Sequence, residues 1–398
     1  MPQSEPDVRV LLVISKFMPE YSGPGHRLTK FYQYLERAGE KIDLEIICNS
    51  QEHADSITYD WKGYPVTRIS SILQKFLPQH RGGLWRSINA FKSYIEGIKT
   101  WRLLSKKNYD ILHIVGMSAS TSVGIYHAYK NQKPKFIELV NADATPIQNL
   151  PLLRFNDREV VSSDTIICCI SSSLKKRCKS LGLDNTWERP NPVDIDKYFP
   201  KNGERKKGSP ADHVCLVCVG KFIPRKNQKF LIDVLAQLAD RFSLVLAGPL
   251  VKTGQHQKRD QEYYQSILDA IGHNGLAERV TLIPEYVDAA KYIREANVVL
   301  LPSYDEGLGT TMLEGLACGV PVVANSQEAA YCQWIEHGHN GYLCELQVEQ
   351  WVNGIKRALE IPESNMVDTA RRIREEASHE AINKLAYEKF SQLVQGGR

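Results

Sequence analysis

Two glutamates, Glu306 and Glu314, flank seven residues with the features of a phosphate site. The preceding segment, 297–301, is a short β-branched and apolar run that ends at Pro302, which predicts a buried strand. Glu306 then falls in a glycine-bearing loop, and Glu314 lies about one and a half turns into a predicted helix over 310–317. Helix N-termini attract anions, and carboxylates accept hydrogen bonds from hydroxyl groups. The pair therefore predicts a ligand that carries both a phosphate and a sugar.

A second candidate phosphate site is the turn 220–227, which follows a predicted buried strand and precedes a predicted helix. The turn carries three cationic side chains, Lys221, Arg225 and Lys226. Cations beside a helix start are suited to a diphosphate. A solvated basic turn is the alternative, and the sequence does not separate Arg225 from Lys226 as the working cation.

The chain has 398 residues, which is too long for a single hydrophobic core and favours two domains. Strand and helix patterns alternate in the first half, stop in a linker, and restart at Val214. Such alternation predicts parallel, doubly wound sheets. We predict an N-terminal domain over 1–199, a linker over 200–212, and a second domain over 213–379. We expect the last helix, 380–398, to pack back on the first domain.

The elements that position these motifs follow from apolar periodicity. Strands are predicted at 8–14, 42–48, 111–115, 136–140, 165–170, from 214 onward, and at 243–247, 280–283, 298–301 and 321–324. Helices are predicted at 28–35, 228–238, 261–271, 310–317, 351–359 and 380–394.

Composition excludes several classes of protein. No stretch approaches the ~20 apolar residues of a membrane helix, and the first residues lack the features of a secretory signal. The nine cysteines lie mostly within apolar runs, which is typical of reduced, buried thiols in a cytosol. Cys215 and Cys218 have a metal-like spacing but fall in a predicted strand, where residues three apart face opposite sides. We predict a cytoplasmic protein with no nucleic-acid partner.

The segment 306–323 resembles the donor-site signature of retaining glycosyltransferases of family 4, in the GT-B superfamily (glycosyl transferases group 1). That signature reads E-G-(F)-G-x-x-x-L-E-A-x-A-x-G-x-P-V-V. Leu308 replaces the usual aromatic residue, and Gly315 replaces the usual alanine. The resemblance covers roughly residues 8–395. It extends to further family motifs at 164–171, 189–199 and 338–343.

The resemblance implies an α/β fold of GT-B type, with two doubly wound Rossmann-like domains facing across a cleft. It implies a retaining, hexosyltransferase-type glycosyltransferase that moves a sugar from a nucleoside diphosphate donor to a hydroxyl of a saccharide or lipid-linked acceptor. The expected pathway is polysaccharide or glycoconjugate synthesis. A sugar-nucleotide epimerase of the same superfold and a non-catalytic sugar-nucleotide-binding module are the alternatives.

The same resemblance implies a metal-independent reaction without a cofactor. Asp194-Ile195-Asp196 is similar to the D-x-D metal motif of another glycosyltransferase class. It lies instead in the segment before the linker, so we expect no divalent ion there.

The resemblance also assigns roles in the donor site. Glu306 would orient the sugar, and Glu314 would accept hydrogen bonds from the ribose hydroxyls. Lys221 and Lys226 occupy the positions of the family's Arg and Lys that grip the diphosphate, although lysine lacks the bidentate fork of arginine. The backbone N–H groups expected to face the β-phosphate and the sugar belong to Gly307, Leu308, Gly309 and Thr310.

Candidates for the acceptor or the leaving phosphate lie in the loop after the first strand. In the family this loop ends in a pair of glycines that lets the backbone approach both groups. Gly25 fits that role, and a tight turn is the alternative. His26 and Arg27 either contact an acceptor phosphate or face solvent.

Two later strands end in further candidates. The family has two histidines in the strand near residue 113, of which the second lies beside the reacting sugar. This chain keeps the first as His113 and has Val115 at the second position. His113 either has a direct role or is a structural residue. Asn141 and Asp143 follow the next strand, where the family usually has a histidine, and are candidate acceptor contacts.

The basic segment 74–107 carries tryptophans and has apolar residues at every third or fourth position, which predicts an amphipathic helix. Between Ser71 and Asp110 there are eight basic and two acidic residues. Two interpretations stay open. The helix either lies on an anionic membrane surface, which would place the protein at the inner face of the membrane, or packs on the core with solvated charges.

Overall fold

The computed structural model describes residues 8–20, 22–50, 52–77, 82–139, 158–189, 191–200, 213–250, 257–304, 306 and 309–396. The chain forms two compact units. The first comprises Met1–Arg189 and Asn383–Arg398, and the second comprises Pro190–Ile382. This division falls at residue 189, ahead of the predicted domain end at 199. Residues 201–212 of the predicted linker lie outside the described residues.

The described part of the first unit contains an eight-stranded sheet with helices between its strands. The strands are β1 (Val8–Ile14), β2 (Ile42–Asn49), β3 (Ile57–Trp61), β4 (Tyr64–Ile69), β5 (Ile111–Val115), β6 (Lys135–Leu139), β7 (Thr165–Cys169) and β8 (Thr186–Glu188). The helices are α1 (Gly23–Arg37), α2 (Gly83–Leu104), α3 (Ala119–Lys130), α4 (Arg158–Ser162) and α5 (Ser172–Ser180), with a 3-10 turn at Ile72–Phe76.

The strand order of this sheet is β3-β4-β2-β1-β5-β6-β7-β8. All neighbouring strands run parallel except β3 and β4, which form an antiparallel hairpin. The hairpin turns at Lys62 and Gly63, which both have positive φ angles of 56° and 89°. A two-residue turn of this kind matches the twist of the two strands. The sequence analysis did not predict this hairpin.

The core of the first unit lies between β1, α1 and the C-terminal helix of the chain. Leu12 and Ile14 of β1 are buried there, because a parallel strand is covered on both faces. The C-terminal helix spans His379–Gly396, and its residues from Asn383 onward belong to this unit. Its Phe390 side chain packs against Phe136 of β6, with ring centroids 5.9 Å apart.

The described part of the second unit contains a six-stranded, entirely parallel sheet. The strands are β9 (Val214–Val219), β10 (Phe242–Ala247), β11 (Val280–Ile283), β12 (Val298–Leu301), β13 (Val322–Asn325) and β14 (Gly341–Cys344). The helices are α6 (Phe230–Ala236), α7 (Gln257–His273), α8 (Ala289–Glu295), α9 (Thr310–Ala317), α10 (Ala329–Cys332), α11 (Val348–Ala358) and α12 (Glu363–Ala377), with a 3-10 turn at Pro224–Lys226. The C-terminal helix α13 (His379–Gly396) follows α12 and belongs to the first unit from Asn383 onward.

The strand order of the second sheet is β11-β10-β9-β12-β13-β14. The chain builds outward from β9 in one direction and from β12 in the other, so these adjacent strands form a topological switch point. The loops after such strands diverge and leave a crevice at their carboxyl ends, where ligands bind in open α/β sheets. The turn 220–227 follows β9, and the described residues 302–304, 306 and 309 follow β12. The prediction of an α/β fold with two doubly wound sheets is confirmed.

Candidate functional site

Glu306 lies where the two loops of the switch point meet. Its Oε1 atom is 2.5 Å from Nζ of Lys226 and 3.0 Å from a guanidinium nitrogen of Arg225. The backbone joins the loops as well, because the N–H of Tyr304 donates to the carbonyl oxygen of Arg225 at 3.1 Å. The structure therefore brings the first predicted carboxylate together with two of the three predicted cations.

The two cations keep Glu306 ionised. Burial disfavours the charged carboxylate, but the attraction of Lys226 and Arg225 outweighs it, so the pKa of Glu306 lies below its ordinary value. Lys226 is itself mostly buried beneath Gly220, where an added Cβ would lie 3.3 Å from the lysine side chain. A carboxylate and a cation held this close in a crevice form a fixed polar site.

A residue that the sequence analysis missed holds the loop of Glu306 in place. The carboxylate of Glu328 accepts the backbone N–H of Glu306 at 2.9 Å. Asn325 assists, because its side-chain amide donates to the carbonyl oxygen of Ser303 at 3.1 Å. Both residues lie at or just beyond the carboxyl end of β13, the neighbour of β12. In the sequence, the available signal was that both residues lie at the end of a predicted strand. Because the sequence does not give the strand order, this position does not distinguish them from other residues at strand ends.

The start of α9 requires a glycine. Gly309 is the residue before the helix and has a φ angle of +69°, which side chains rarely adopt. A Cβ atom at this position would lie 2.4 Å from the ring of Tyr331. The close packing of this backbone fixes where α9 begins, and Thr310 is its first residue. The first N–H groups of a helix have no partner within it and are suited to an anion.

The second predicted carboxylate, Glu314, lies within α9 and has a different environment. Burial raises its pKa to about 7, although a hydrogen bond from Tyr198 and the charge of Lys226 oppose the rise. Tyr198 is a second residue that the sequence analysis missed. It belongs to the segment 191–200, which precedes the predicted linker and lies in the second unit. Glu314 is therefore a carboxyl group close to its titration point near neutral pH.

The remaining donor-site predictions concern Lys221, Gly307 and Leu308. Lys221 is exposed at the start of its turn, and its carbonyl oxygen accepts a hydrogen bond from Gln228 at 2.8 Å. Gly307 and Leu308 lie outside the described residues. Their backbone roles and that of Lys221 stay predictions.

A buried ionic cluster in the first unit surrounds His113. Glu138 of β6 forms ion pairs with Arg27 and, at 2.7 Å, with Arg189. His113 is completely buried. Its Nε2 atom is hydrogen-bonded to the carboxylate of Glu138 at 3.0 Å, and its Nδ1 atom is hydrogen-bonded to the hydroxyl of Tyr32 at 2.6 Å. Burial lowers the pKa of His113 despite the carboxylate. Both ring nitrogens have protein partners, which favours the structural interpretation of His113, and its direct role stays a prediction.

The other predictions in the first unit have mixed outcomes. Arg27 is largely buried, with 13% of its side chain exposed, and it pairs with Glu138, so its contact with an acceptor phosphate stays a prediction. His26 is exposed. Gly25 is buried, and a Cβ there would lie 3.1 Å from both Phe17 and Met18, which gives the glycine a packing reason. Asn141 and Asp143 lie outside the described residues.

Two further motifs have metal-like spacing, the pair Cys215 and Cys218 and the D-x-D segment 194–196. All nine cysteines are free, and Cys215 and Cys218 lie in β9. The described ranges contain no group of three or more His, Cys, Asp or Glu side chains arranged to hold a metal ion. Asp194 of the D-x-D segment begins a turn, and its carbonyl oxygen accepts the N–H groups of Lys197 and Tyr198.

Comparison with known proteins relates this site to a family. Residues 201–380 match the family model described as glycosyl transferases group 1. The Escherichia coli enzyme UDP-Gal:alpha-D-GlcNAc-diphosphoundecaprenol alpha-1,3-galactosyltransferase is 22% identical over 366 residues, which cover 86% of this chain and 86% of that protein.

Solved structures share the fold. Sucrose-phosphate synthase from Thermosynechococcus elongatus superimposes with a TM-score of 0.72 and 17% identity, covering 98% of this chain and 100% of that one. Anabaena Alr3699/HepE in complex with UDP-glucose superimposes with a TM-score of 0.68 and 17% identity, covering 97% and 100%. This chain therefore has the GT-B fold, and its residues 201–380 are similar to glycosyl transferases group 1.

Proposed function

We propose that the chain is a retaining glycosyltransferase of family 4 that transfers a hexose from a nucleoside diphosphate donor to a hydroxyl acceptor. The observation that carries the proposal is the contact of Glu306 with Lys226 and Arg225 at the switch point of the second sheet. Diphosphates bind where cations and a helix start converge, and sugars bind where a fixed carboxylate accepts their hydroxyls. Both requirements meet in one crevice, and Glu314 lies further along the same helix.

Each residue has a role in this proposal. Lys226, Lys221 and Arg225 bind the diphosphate and stabilise its growing charge as it departs. The backbone of Gly307, Leu308, Gly309 and Thr310 donates N–H groups to the β-phosphate and the sugar. Glu306 accepts hydrogen bonds from the hydroxyl groups of the transferred sugar and so orients its ring. Glu314 accepts hydrogen bonds from the ribose. Gly25 and His26 remain candidates for the acceptor side, together with His113 and Asn141.

The transfer step needs charge stabilisation at the leaving group. The bond between the anomeric carbon and the β-phosphate oxygen breaks, and the acceptor oxygen bonds to the same face of that carbon. The acceptor proton passes to the departing phosphate. Preorganised groups of this kind typically contribute about 2.7–4 kcal/mol each to transition-state stabilisation. We propose that the cations supply this stabilisation without a divalent metal, and that no further cofactor takes part.

The names of the relatives suggest the substrates. The E. coli relative uses UDP-galactose and a diphosphoundecaprenol-linked acceptor by its name, and HepE was solved with UDP-glucose. We therefore propose a UDP-hexose donor and a saccharide or lipid-linked acceptor for this chain, in polysaccharide or glycoconjugate synthesis. A cytoplasmic protein with a peripheral membrane contact through 74–107 is part of this proposal.

The proposal is tested by incubating the protein with a panel of UDP-hexoses and lipid-linked saccharides, with and without a chelator. A product with the donor's anomeric configuration, assigned by NMR, is the expected result. An inverted product would refute retention, and loss of turnover with the chelator would refute metal independence. The same assay separates the alternatives, because an epimerase alters the donor without an acceptor, and a binding module binds UDP without turnover.

A further inference from the structure

Helix α2 has its polar side toward the protein. The six residues of this helix that are buried are Lys92, Ser93, Glu96, Gly97, Thr100 and Leu104, of which only Leu104 is a large apolar residue. A helix on the surface of a soluble protein ordinarily buries an apolar stripe and exposes its polar residues. In α2, most of the buried residues are polar, and several large apolar residues are exposed.

The buried polar side chains satisfy one another. Lys92 pairs with Glu96 at 3.1 Å, and the side-chain amide of Asn49 donates to Glu96 at 3.4 Å. Thr100 and Ser120 of α3 share a hydrogen bond of 2.7 Å between their hydroxyls. This network lets the polar side of α2 pack against α3. Apart from Leu104, the large apolar residues of the helix are half-buried, as at Ile88 and Ile95, or exposed, as at Leu84 and Phe91.

The outward side of α2 carries a row of large apolar residues. Leu84, Phe91 and Ile98 recur every seven residues, so they drift by only about 20° around the helix from one to the next. Leu84 and Phe91 are 67% and 59% exposed. The preceding 3-10 turn adds Ile72 and Phe76, at 63% and 62%. We call these five residues the apolar stripe.

The stripe is a concentration of exposed apolar surface. Fourteen large apolar side chains are exposed among the described residues, and six of them fall within 72–101. Single exposed apolar residues are ordinary, whereas a contiguous patch rimmed by charge marks an interaction site.

The charges around the stripe select the kind of partner. Lys75 lies between Ile72 and Phe76 in the 3-10 turn, and Arg102 lies one helical turn beyond Ile98; both side chains are exposed. Glu96 is the only acidic residue between 71 and 104, and it is buried against Lys92. An apolar surface with exposed cations on its own segment matches the interface of an anionic bilayer, where apolar side chains enter the acyl boundary and cations meet the headgroups. A second copy of this surface would instead place like charges together.

We propose that the apolar stripe docks this chain on an anionic lipid bilayer, with Lys75 and Arg102 against the headgroups. None of the described helices is long and apolar enough to cross a bilayer, so the contact is with the surface. This inference sharpens the membrane contact of the proposed function, and it rests on that function only for the lipid-linked acceptor.

Sedimentation of the full chain with lipid vesicles tests the inference. Vesicles of phosphatidylcholine alone are compared with equimolar phosphatidylcholine and phosphatidylglycerol. We expect binding to the anionic vesicles that weakens at high salt. The double variant Leu84→Ser/Phe91→Ser should bind them at least about tenfold more weakly, since full burial of one such side chain favours the membrane by that factor or more. The variant Lys75→Gln/Arg102→Gln should lose much of the preference for anionic lipid.

The matched control is Leu181→Ser, because Leu181 is a similarly exposed leucine of the first unit that lies outside the stripe. It should bind vesicles as the unaltered chain does. Failure of the unaltered chain to bind anionic vesicles would overturn the inference, and so would equal binding by the stripe variant. A lipid-independent dimer that Leu84→Ser/Phe91→Ser dissolves would assign the stripe to a second copy instead.

UDP affinity, measured by calorimetry on the same samples, separates this inference from the proposed function. Vesicle binding without UDP binding would refute the donor site and leave the stripe intact. UDP binding without vesicle binding would refute the stripe alone.

Discussion

Nζ of Lys226 lies 2.5 Å from Oε1 of Glu306, and this contact joins the loops that follow two adjacent parallel strands. The cation proposed to bind the diphosphate is therefore paired with the carboxylate proposed to orient the sugar. A substitution at Lys226 or at Glu306 therefore also changes the charge beside the other residue. For each variant, ligand binding and turnover should be measured separately.

Lys226→Ala should weaken UDP binding by roughly 10- to 100-fold, because hydrogen bonds to charged groups are worth about 1.5–3 kcal/mol. Isothermal calorimetry with UDP measures the effect. Lys229→Ala is the matched control, since Lys229 is an exposed lysine three residues further along. Unchanged UDP affinity in Lys226→Ala would remove this residue from the diphosphate site.

Glu328 should act as a positioning residue through the backbone of Glu306. Glu328→Gln retains a side-chain oxygen that can accept the N–H of Glu306, whereas Glu328→Ala leaves that N–H without this acceptor. We expect turnover to fall by about tenfold or more in the alanine variant, with substantial recovery in the glutamine variant and little change in UDP affinity. Gln327→Ala, at an exposed neighbour, is the control. Equal turnover in both Glu328 variants would argue against positioning.

Glu314 should make the stability of the second unit depend on pH. Its native pKa of about 7 exceeds the ordinary value of 4.5, so the folded chain holds a proton that the unfolded chain releases. The associated stability is fully present below about pH 4.5 and is lost as the pH rises through about 7. Glu314→Gln stays neutral, so its melting temperature relative to the unaltered chain should rise across this range and then level off.

Two variants check the assignment of that pH dependence. Tyr198→Phe removes a hydrogen bond that stabilises the ionised Glu314, so the pKa of Glu314 should rise further and the transition should move to higher pH. Glu278→Gln, at an exposed carboxylate of the same unit, should leave the dependence unchanged. A melting difference for Glu314→Gln that is flat with pH would contradict the buried environment of Glu314.

Glu138→Gln should destabilise the first unit by about 3–5 kcal/mol, because it leaves the guanidinium groups of Arg27 and Arg189 buried without their carboxylate. Hydrogen exchange of the β5 and β6 amides, followed by mass spectrometry, reports this local loss. Glu159→Gln alters an exposed carboxylate of the same unit and is the control. Exchange equal to that of the unaltered chain would show that the cluster contributes little stability.

The sequence predicted the parallel strands well, because strands covered on both faces are continuous apolar runs. The observed bounds of β1, β5, β11 and β12 coincide with those predicted. The hairpin of β3 and β4 was missed, since its short strands carry polar residues and lack a continuous apolar run. The three-residue strand β8 was missed as well, because so short a segment has no period to detect, and so was the four-residue strand β14.

The site could be predicted only where its residues are close in sequence. Glu306, Glu314 and Lys226 belong to local strand-loop-helix motifs, and the structure brings Glu306 and Lys226 into contact. Glu328 and Tyr198 reach the site from other elements, and their partners depend on the strand order and on packing, which no local pattern encodes. The cluster at Glu138 has the same origin, because Arg189 is 51 residues away along the chain.

The central claim is that Glu306 orients the transferred sugar beside cations that hold the diphosphate. It is tested most directly by measuring UDP affinity and steady-state transfer for Glu306→Gln in parallel with the unaltered chain. We predict UDP affinity within a few-fold of the original, since UDP lacks the transferred hexose that Glu306 would hold, and kcat reduced by about 10²–10³-fold. An unchanged kcat in Glu306→Gln would contradict the account.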